Sequence, residues 1–221
     1  MTEKTIERSA SALKITEIFR SLQGESDSVG WPTVFVRLTG CPLRCVWCDT
    51  AYAFQGGTWM EIDAIVDRVQ ALDTRHVCVT GGEPLAQKRC IELLAALCDS
   101  GHRVSLETSG ALPVDAVDPR VVKVLDLKAP ASGESGRNRW ENLDHLQAHD
   151  QIKFVIASRQ DFDWAVEQVR ERNLTRWDVL FSPVWETLPP RELADWLLES
   201  GLEARLQLQT HKVLWGDQPG K

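Results

Sequence analysis

Apolar positions along this chain keep two rhythms that take turns. Short runs of β-branched and aliphatic residues predict strands at Lys14–Ser21, Val34–Leu38, Val77–Thr80, Arg103–Thr108, Val121–Leu127, Ile152–Ala157, Val179–Phe181 and Leu206–Gln209. Between them the spacing lengthens to that of helices. Glu61–Leu72 puts Ile62, Ile65, Val66 and Val69 on one face, and Lys88–Asp99, Phe162–Arg172 and Pro190–Glu199 read the same way. Gly101 and Gly201 suit the stops of two of these helices, and Pro190 suits the first turn of the last.

Strands interleaved with helices give β–α units, a parallel sheet, and ligands at the carboxyl ends of the strands. Eight full units take about 250 residues. The chain has 221, with little helix between its first two strands. The expected class is therefore α/β, an incomplete TIM-like barrel of parallel strands. No repeat or linker divides it, so one domain is expected over 14–221. Residues 1–13, polar at the start and mixed in charge, are expected to form a flexible extension. Ala129–Arg139 is the most loop-like stretch, and it follows a strand, where functional loops sit.

Composition is that of a soluble globular domain, 43% apolar and 26% charged. A net charge of −7 argues against a nucleic-acid partner, which would need a basic face. The start of the chain shows no apolar secretory segment, and no run approaches the ~18 apolar residues of a membrane span. The expected location is the cytoplasm, where clustered thiols read as metal ligands. Cys78, Cys90 and Cys98 are scattered and read as small buried hydrophobes, and the nine tryptophans read by default as core, with an interface open as the alternative.

The other three cysteines are clustered. Gly40-Cys41-Pro42-Leu43-Arg44-Cys45-Val46-Trp47-Cys48-Asp49-Thr50 contains C-x3-C-x2-C. That spacing would also set three core cysteines on one helix face. Gly40, Pro42, Arg44 and Asp49 fit a loop folded around a metal better. Structural zinc and ordinary four-iron clusters take four protein ligands, so three is one short. Three thiolates on a four-iron cluster leave one iron open for chemistry. A zinc site of three cysteines and a histidine stays open as an alternative, although the nearest histidine is His76.

A second run, Val77-Cys78-Val79-Thr80-Gly81-Gly82-Glu83-Pro84, ends a strand in two glycines, an acid and a proline. Glycines there let a ligand approach the backbone closely, or simply make a tight turn. Later strand ends carry Leu106-Glu107-Thr108-Ser109-Gly110, Asp126-Leu127-Lys128 and Phe181-Ser182-Pro183. Asp126 and Lys128, two apart, share one strand face.

With the cysteine triad and the G-G-E-P run together, the chain resembles the radical S-adenosylmethionine (SAM) enzymes. The resemblance implies that Cys41, Cys45 and Cys48 hold a [4Fe-4S] cluster whose fourth iron binds the amino and carboxylate groups of SAM. It implies reductive cleavage of SAM and hydrogen abstraction from a substrate by the adenosyl radical, with the protein supplying position and exclusion of water. Gly82, Glu107, Asp126, Leu127, Lys128, Ser182 and Pro183 become the implied SAM contacts, Glu107 toward a ribose hydroxyl.

Three further runs narrow the resemblance: Ile18-Phe19-Arg20-Ser21-Leu22-Gln23-Gly24-Glu25, Val34-Phe35-Val36-Arg37-Leu38-Thr39-Gly40-Cys41, and Gln207-Leu208-Gln209-Thr210-His211-Lys212. They are similar to the ring-contracting branch of the family, which acts in 7-deazapurine (queuosine precursor) biosynthesis. Those lyases turn 6-carboxy-5,6,7,8-tetrahydropterin into 7-carboxy-7-deazaguanine with loss of ammonia and regenerate SAM. The resemblance implies substrate contacts at Leu22, Gln23, Gly24, Glu25, Arg37 and Thr80. It also implies Mg2+ with the Thr50 hydroxyl as its one protein ligand, a reductase or flavodoxin-type electron donor, and a homodimer. The chemistry is coherent, since Arg37 offers a planar fork to a carboxylate. Gln23 and Glu25 offer the donor and acceptor pattern of an aminopyrimidinone edge. Two alternatives share the cysteine spacing: a glycyl-radical enzyme activating enzyme, and a non-enzymatic metal-binding or electron-transfer protein.

Overall fold

The computed structural model describes residues 12–216 together with Gln218 and Gly220. Nine strands form one sheet: β1 (Ala12–Leu22), β2 (Pro32–Leu38), β3 (Thr58–Glu61), β4 (His76–Gly81), β5 (Arg103–Thr108), β6 (Val122–Leu127), β7 (Gln151–Ile156), β8 (Asp178–Pro183) and β9 (Arg205–Leu206). Their order is β3-β1-β2-β4-β5-β6-β7-β8-β9, parallel from β2 onward and open at both edges. The helices are α1 (Ile62–Gln70), α2 (Cys90–Asp99), α3 (Arg159–Glu171), α4 (Pro190–Ser200) and α5 (Thr210–Trp215). This is the open, partial α/β barrel expected. Among the described residues no helix is long and apolar enough to cross a membrane.

Strand alternation sorts side chains between the two faces of the sheet. Val77, Val79, Val104, Leu106, Leu125, Leu127, Ile152, Phe154 and Ile156 join one apolar cluster with Leu93, Leu97, Phe162 and Val169 of the helices. Their strand neighbours Cys78, Thr80, Glu107, Asp126, Lys153 and Val155 face a cavity on the other side. A one-residue slip in any of these strands would exchange the two sets. Register therefore fixes which residues can meet a ligand. Away from the cavity, the Lys123 ammonium sits 2.8 Å from Asp150 Oδ2, both side chains almost wholly buried.

Several boundaries differ from the sequence expectation. The first two strands are antiparallel, not parallel, and β3 adds to the far edge of β1. The connection from Leu22 to Pro32 is too short for a parallel crossover, which takes about a dozen residues. The strand expected at Leu206–Gln209 shrinks to Arg205–Leu206. Leu206 and Leu208 are both exposed, so no sheet face holds them, and α5 follows at Thr210. Helix α3 starts at Arg159, ahead of the expected Phe162, because the Ser158 hydroxyl accepts a hydrogen bond from the Asp161 N–H at 3.2 Å. Gly101 and Gly201 take the left-handed conformations that helix stops use, φ +87° and +64°. The expected extension at 1–13 lies outside the described residues up to position 11, and Ala12 and Leu13 belong to β1.

Candidate active site

The cysteines lie in the loop that leaves β2. Gly40 turns at φ +101°, its N–H donates to Ala53 O, and its carbonyl accepts from Glu83 N at 2.9 Å. Leu43 is buried and anchors the loop, while its N–H donates to Cys41 Sγ at 3.4 Å. Arg44 donates to the Cys41 carbonyl at 2.8 Å and lies over the Phe54 ring. The loop predicted at Ala129–Arg139 braces it: Val46 N donates to Ser132 O at 3.1 Å, and Arg44 N donates to the Glu134 carboxylate. Cys41, Cys45 and Cys48 are all reduced and half-buried on the cavity wall.

Burial pushes the Cys41 and Cys45 thiols up, so their thiolates need a cationic partner. Among the described residues no three His, Cys, Asp or Glu side chains gather as they would around a single metal ion. Three half-buried thiols on one cavity wall are the donor set of a cluster that takes three thiolates. The residues present fit a [4Fe-4S] cluster.

Beside the loop runs the end of β4. A Cβ on Gly81 would come to 2.6 Å from the Leu38 carbonyl oxygen. On Gly82 it would meet Gly40 O at 2.5 Å and Cys41 Cβ at 2.6 Å. Glycine is the residue that lets this strand end pass the cysteine loop. Glu83, fully buried, turns away from the cavity. Its carboxylate accepts from Leu85 N, Thr108 Oγ1, and Ser109 N and Oγ, which locks the end of β5.

Further along the wall, β5, β6 and β7 bring Glu107, Asp126, Lys128 and Lys153 together. Lys128 Nζ lies 3.0 Å from Asp126 Oδ2. Lys153 Nζ lies 2.6 Å from Glu25 Oε2, 3.6 Å from Glu107 Oε2 and 3.7 Å from Asp126 Oδ2. Burial would raise the Glu25 carboxyl, but Lys153 and a hydrogen bond from Gln209 outweigh it and hold it at about 2. Glu107 goes the other way, up to about 7, because burial and the charges of Glu25 and Asp126 outweigh a more distant Lys153. Glu107 Oε1 and Asp126 Oδ1 are buried with no partner.

At the mouth of the cavity, helix α5 clamps the turn after β1. Thr210 N donates to Gly24 O at 3.0 Å, and Gln209 Nε2 donates to Glu25 Oε1 at 2.9 Å. The His211 ring packs so tightly on Gly24 that a Cβ there would overlap its Nδ1. Gln23 Oε1 accepts from Glu25 N at 3.2 Å, and its buried Nε2 has no partner. Arg37 commits its Nε to Glu17 at 2.7 Å and lies against the Tyr52 ring. Thr50 Oγ1 is 3.8 Å from Cys48 Sγ.

The cavity, about 700 Å3, thus unites Leu22, Gln23, Glu25, Arg37, the three cysteines, Thr50, Thr80, Gly82, Glu107, Asp126 and Lys128. Four expected contacts are not on its wall. Gly24 backs onto His211, and Leu127 faces the apolar core. Ser182 and Pro183 are buried, and it is Val184–Thr187 just beyond them that reach the cavity. Lys153, Ser109, Tyr52, Trp185, Gln209 and His211 also line the wall, and none of them is among the contacts the resemblance implies. Ser109, Gln209 and His211 lie in runs that the sequence itself marks, and Lys153 left a signal as the charged residue inside the apolar run Ile152–Ala157.

A model described as the radical SAM superfamily matches residues 35–197. The chain belongs to that superfamily. Relatives from Koribacter versatilis and Chlorobaculum tepidum, both described as 7-carboxy-7-deazaguanine synthase, are each 47% identical to it. They match over 92% of this chain and over 97% and 94% of their own lengths. Within the superfamily, its family is that of the 7-carboxy-7-deazaguanine synthases. The crystal structure of QueE from Escherichia coli shares the fold, with a TM-score of 0.75 at 23% identity over 89% of this chain and 93% of that one. TYW1 with a lysine-pyruvate adduct bound shares it more distantly, at a TM-score of 0.58 and 12% identity over 78% of this chain and 74% of that one.

Proposed function

We propose that this radical SAM lyase converts 6-carboxy-5,6,7,8-tetrahydropterin to 7-carboxy-7-deazaguanine, releasing ammonia. The observation that carries the reading is one cavity holding two unlike sets of groups: half-buried cysteines beside Gly82, and Gln23, Glu25 and Arg37. When bound, a [4Fe-4S] cluster and SAM supply a one-electron cleavage that yields an adenosyl radical able to take a hydrogen atom. The chain's own residues hold, orient and enclose. Cys41, Cys45 and Cys48 hold the cluster, and Gly82 leaves room beside it. Glu107 and Asp126 accept hydroxyls of the nucleoside through Oε1 and Oδ1, and Lys128 neutralises Asp126. Ionised Glu25 accepts from the donor edge of the pterin, and the Nε2 amide of Gln23 donates to its carbonyl. Arg37, fixed by Glu17 and Tyr52, turns its guanidinium to the substrate carboxylate.

Thr50 is the protein ligand for Mg2+, a role that suits an ion keeping most of its waters. Expected partners are a reductase or flavodoxin-type donor in the cytoplasm and a second copy of the chain. Glycyl-radical activation is the less favoured reading, because Gln23, Glu25 and Arg37 suit a small polar heterocycle.

The test mixes anaerobically reconstituted protein with SAM, reductant and carboxytetrahydropterin and follows 7-carboxy-7-deazaguanine. No product from protein with an intact cluster would overturn the assignment. Thr50→Ala should keep its iron and lose mainly the stimulation by Mg2+. Undiminished stimulation would remove Thr50 from that role.

A further inference from the structure

An ammonium withdrawn from water is costly unless it is paired, so a buried lysine is held by its partners. The Lys153 side chain is 10% exposed, and its partners come from three places in the chain. Glu25 lies after β1, Glu107 near the end of β5 and Asp126 near the end of β6, all within 3.7 Å of one nitrogen. Asp126 is level with Lys153 in the parallel ladder of β6 and β7, so that pairing is set by register. The other oxygen of Glu25, Oε1, accepts from Gln209, the residue just before α5.

We propose that Lys153 is a positioning residue that ties the two halves of the ligand site together. Its ammonium keeps Glu25 ionised and in place for the pterin, and aligns Glu107 and Asp126 for the hydroxyls of SAM. This rests on the functional reading above and adds to it an electrostatic link between cofactor and substrate.

The charges around the site show why one ammonium is needed. Without Lys153, three buried carboxylates face one another. Lys128 is paired to Asp126 at 3.0 Å, and the neighbouring His211 is held low by burial and so is neutral near pH 7. Burial then favours a proton on Glu25, which Lys153 now prevents. A protonated Glu25 turns a hydrogen toward the donor edge it should accept from.

The experiment measures KM for carboxytetrahydropterin against pH in the cluster-loaded enzyme, and separately the equilibrium affinity for SAM without pterin. In the wild type, ionisation of Glu25 adds no slope near neutrality. In Lys153→Met, KM should rise about tenfold per unit as the pH falls below the new Glu25 pKa, and SAM should bind at least about tenfold more weakly. Lys153→Arg should remove the added Glu25 slope and return the wild-type profile. A Lys153→Met enzyme that is merely less stable, with KM profile and SAM affinity unchanged, overturns the bridge. The Glu25→Gln, Lys153→Met double variant removes an opposed pair and answers the question if the single variant does not fold. Relative to Glu25→Gln, its pterin KM should gain no new pH slope while its SAM affinity falls; equal SAM affinity overturns the proposal. If the wild type binds SAM but not the pterin, the substrate reading fails and the bridge fails with it. A wild type that turns the pterin over, beside an unaltered Lys153→Met, sinks the bridge alone.

Discussion

Gly82 and Glu107 show what single residues carry here. Gly82 has no room for a methyl group, since Gly40 O and Cys41 Cβ would both lie within 2.6 Å of it. Gly82→Ala should therefore displace the cysteine loop and lower iron and sulfide per chain after reconstitution. Gly136→Ala, where a Cβ meets nothing within 4 Å, is the control and should retain both. Glu107 sets a pH dependence. Its carboxyl titrates at about 7 in the folded chain against an ordinary 4.5, because burial and two neighbouring carboxylates favour the proton. The folded state thus holds a proton that the unfolded chain releases. That contribution to stability is full below pH 4.5 and lost as the pH rises through about 7. Urea unfolding from pH 4.5 to 8 should show a decline that Glu107→Gln removes; an identical decline in the variant would assign it elsewhere.

Among the elements, α3 and α5 differ in what holds them. Helix α3 has a side-chain cap and an apolar face of Phe162, Ala165, Val166 and Val169 packed on the sheet. Ser158→Ala removes the cap and should cost about 1 kcal/mol in denaturant unfolding, with activity unchanged. Helix α5 is short and leaves Val213 and Leu214 exposed. Its hold on the protein is polar, through Gly24 O, Glu25 and Asp49. That explains why α5 is absent from the periodicity that marks the other helices. Six residues with no buried apolar stripe give a pattern nothing to detect.

For the molecule as a whole, the sheet separates stability from chemistry. Apolar packing lies on its helix side, and the ionisable groups that line the cavity lie on the other. Lys123 and Asp150 are a buried pair remote from the cavity, and Asp150 also accepts from Lys123 N and Gln147 N. Asp150→Ala leaves an ammonium buried alone and should cost about 3–5 kcal/mol, read as a lower urea midpoint, while KM values hold. A shift in KM without loss of stability would show that the two faces are not independent.

Much of this was legible in the residues themselves. Cys41, Cys45 and Cys48 announce their loop because few other arrangements place Gly, Pro, Arg and Asp among clustered thiols. The parallel strands announce themselves through runs such as Val77–Thr80, where burial on both faces leaves few polar positions. Lys153 could not be assigned from the chain alone, because a lysine in an apolar strand reads equally as an edge residue until its neighbours are known. The antiparallel β1–β2 pair follows from a connection too short for a crossover, and the two-residue β9 from leucines that no sheet face holds. Sequence by itself determined the cysteine spacing, the strand–helix rhythm and the family, since these are local patterns of residue type. Tertiary structure alone decided that Glu25, Glu107 and Asp126, far apart in the chain, share one ammonium, because register and strand order set distances that spacing along a chain does not encode.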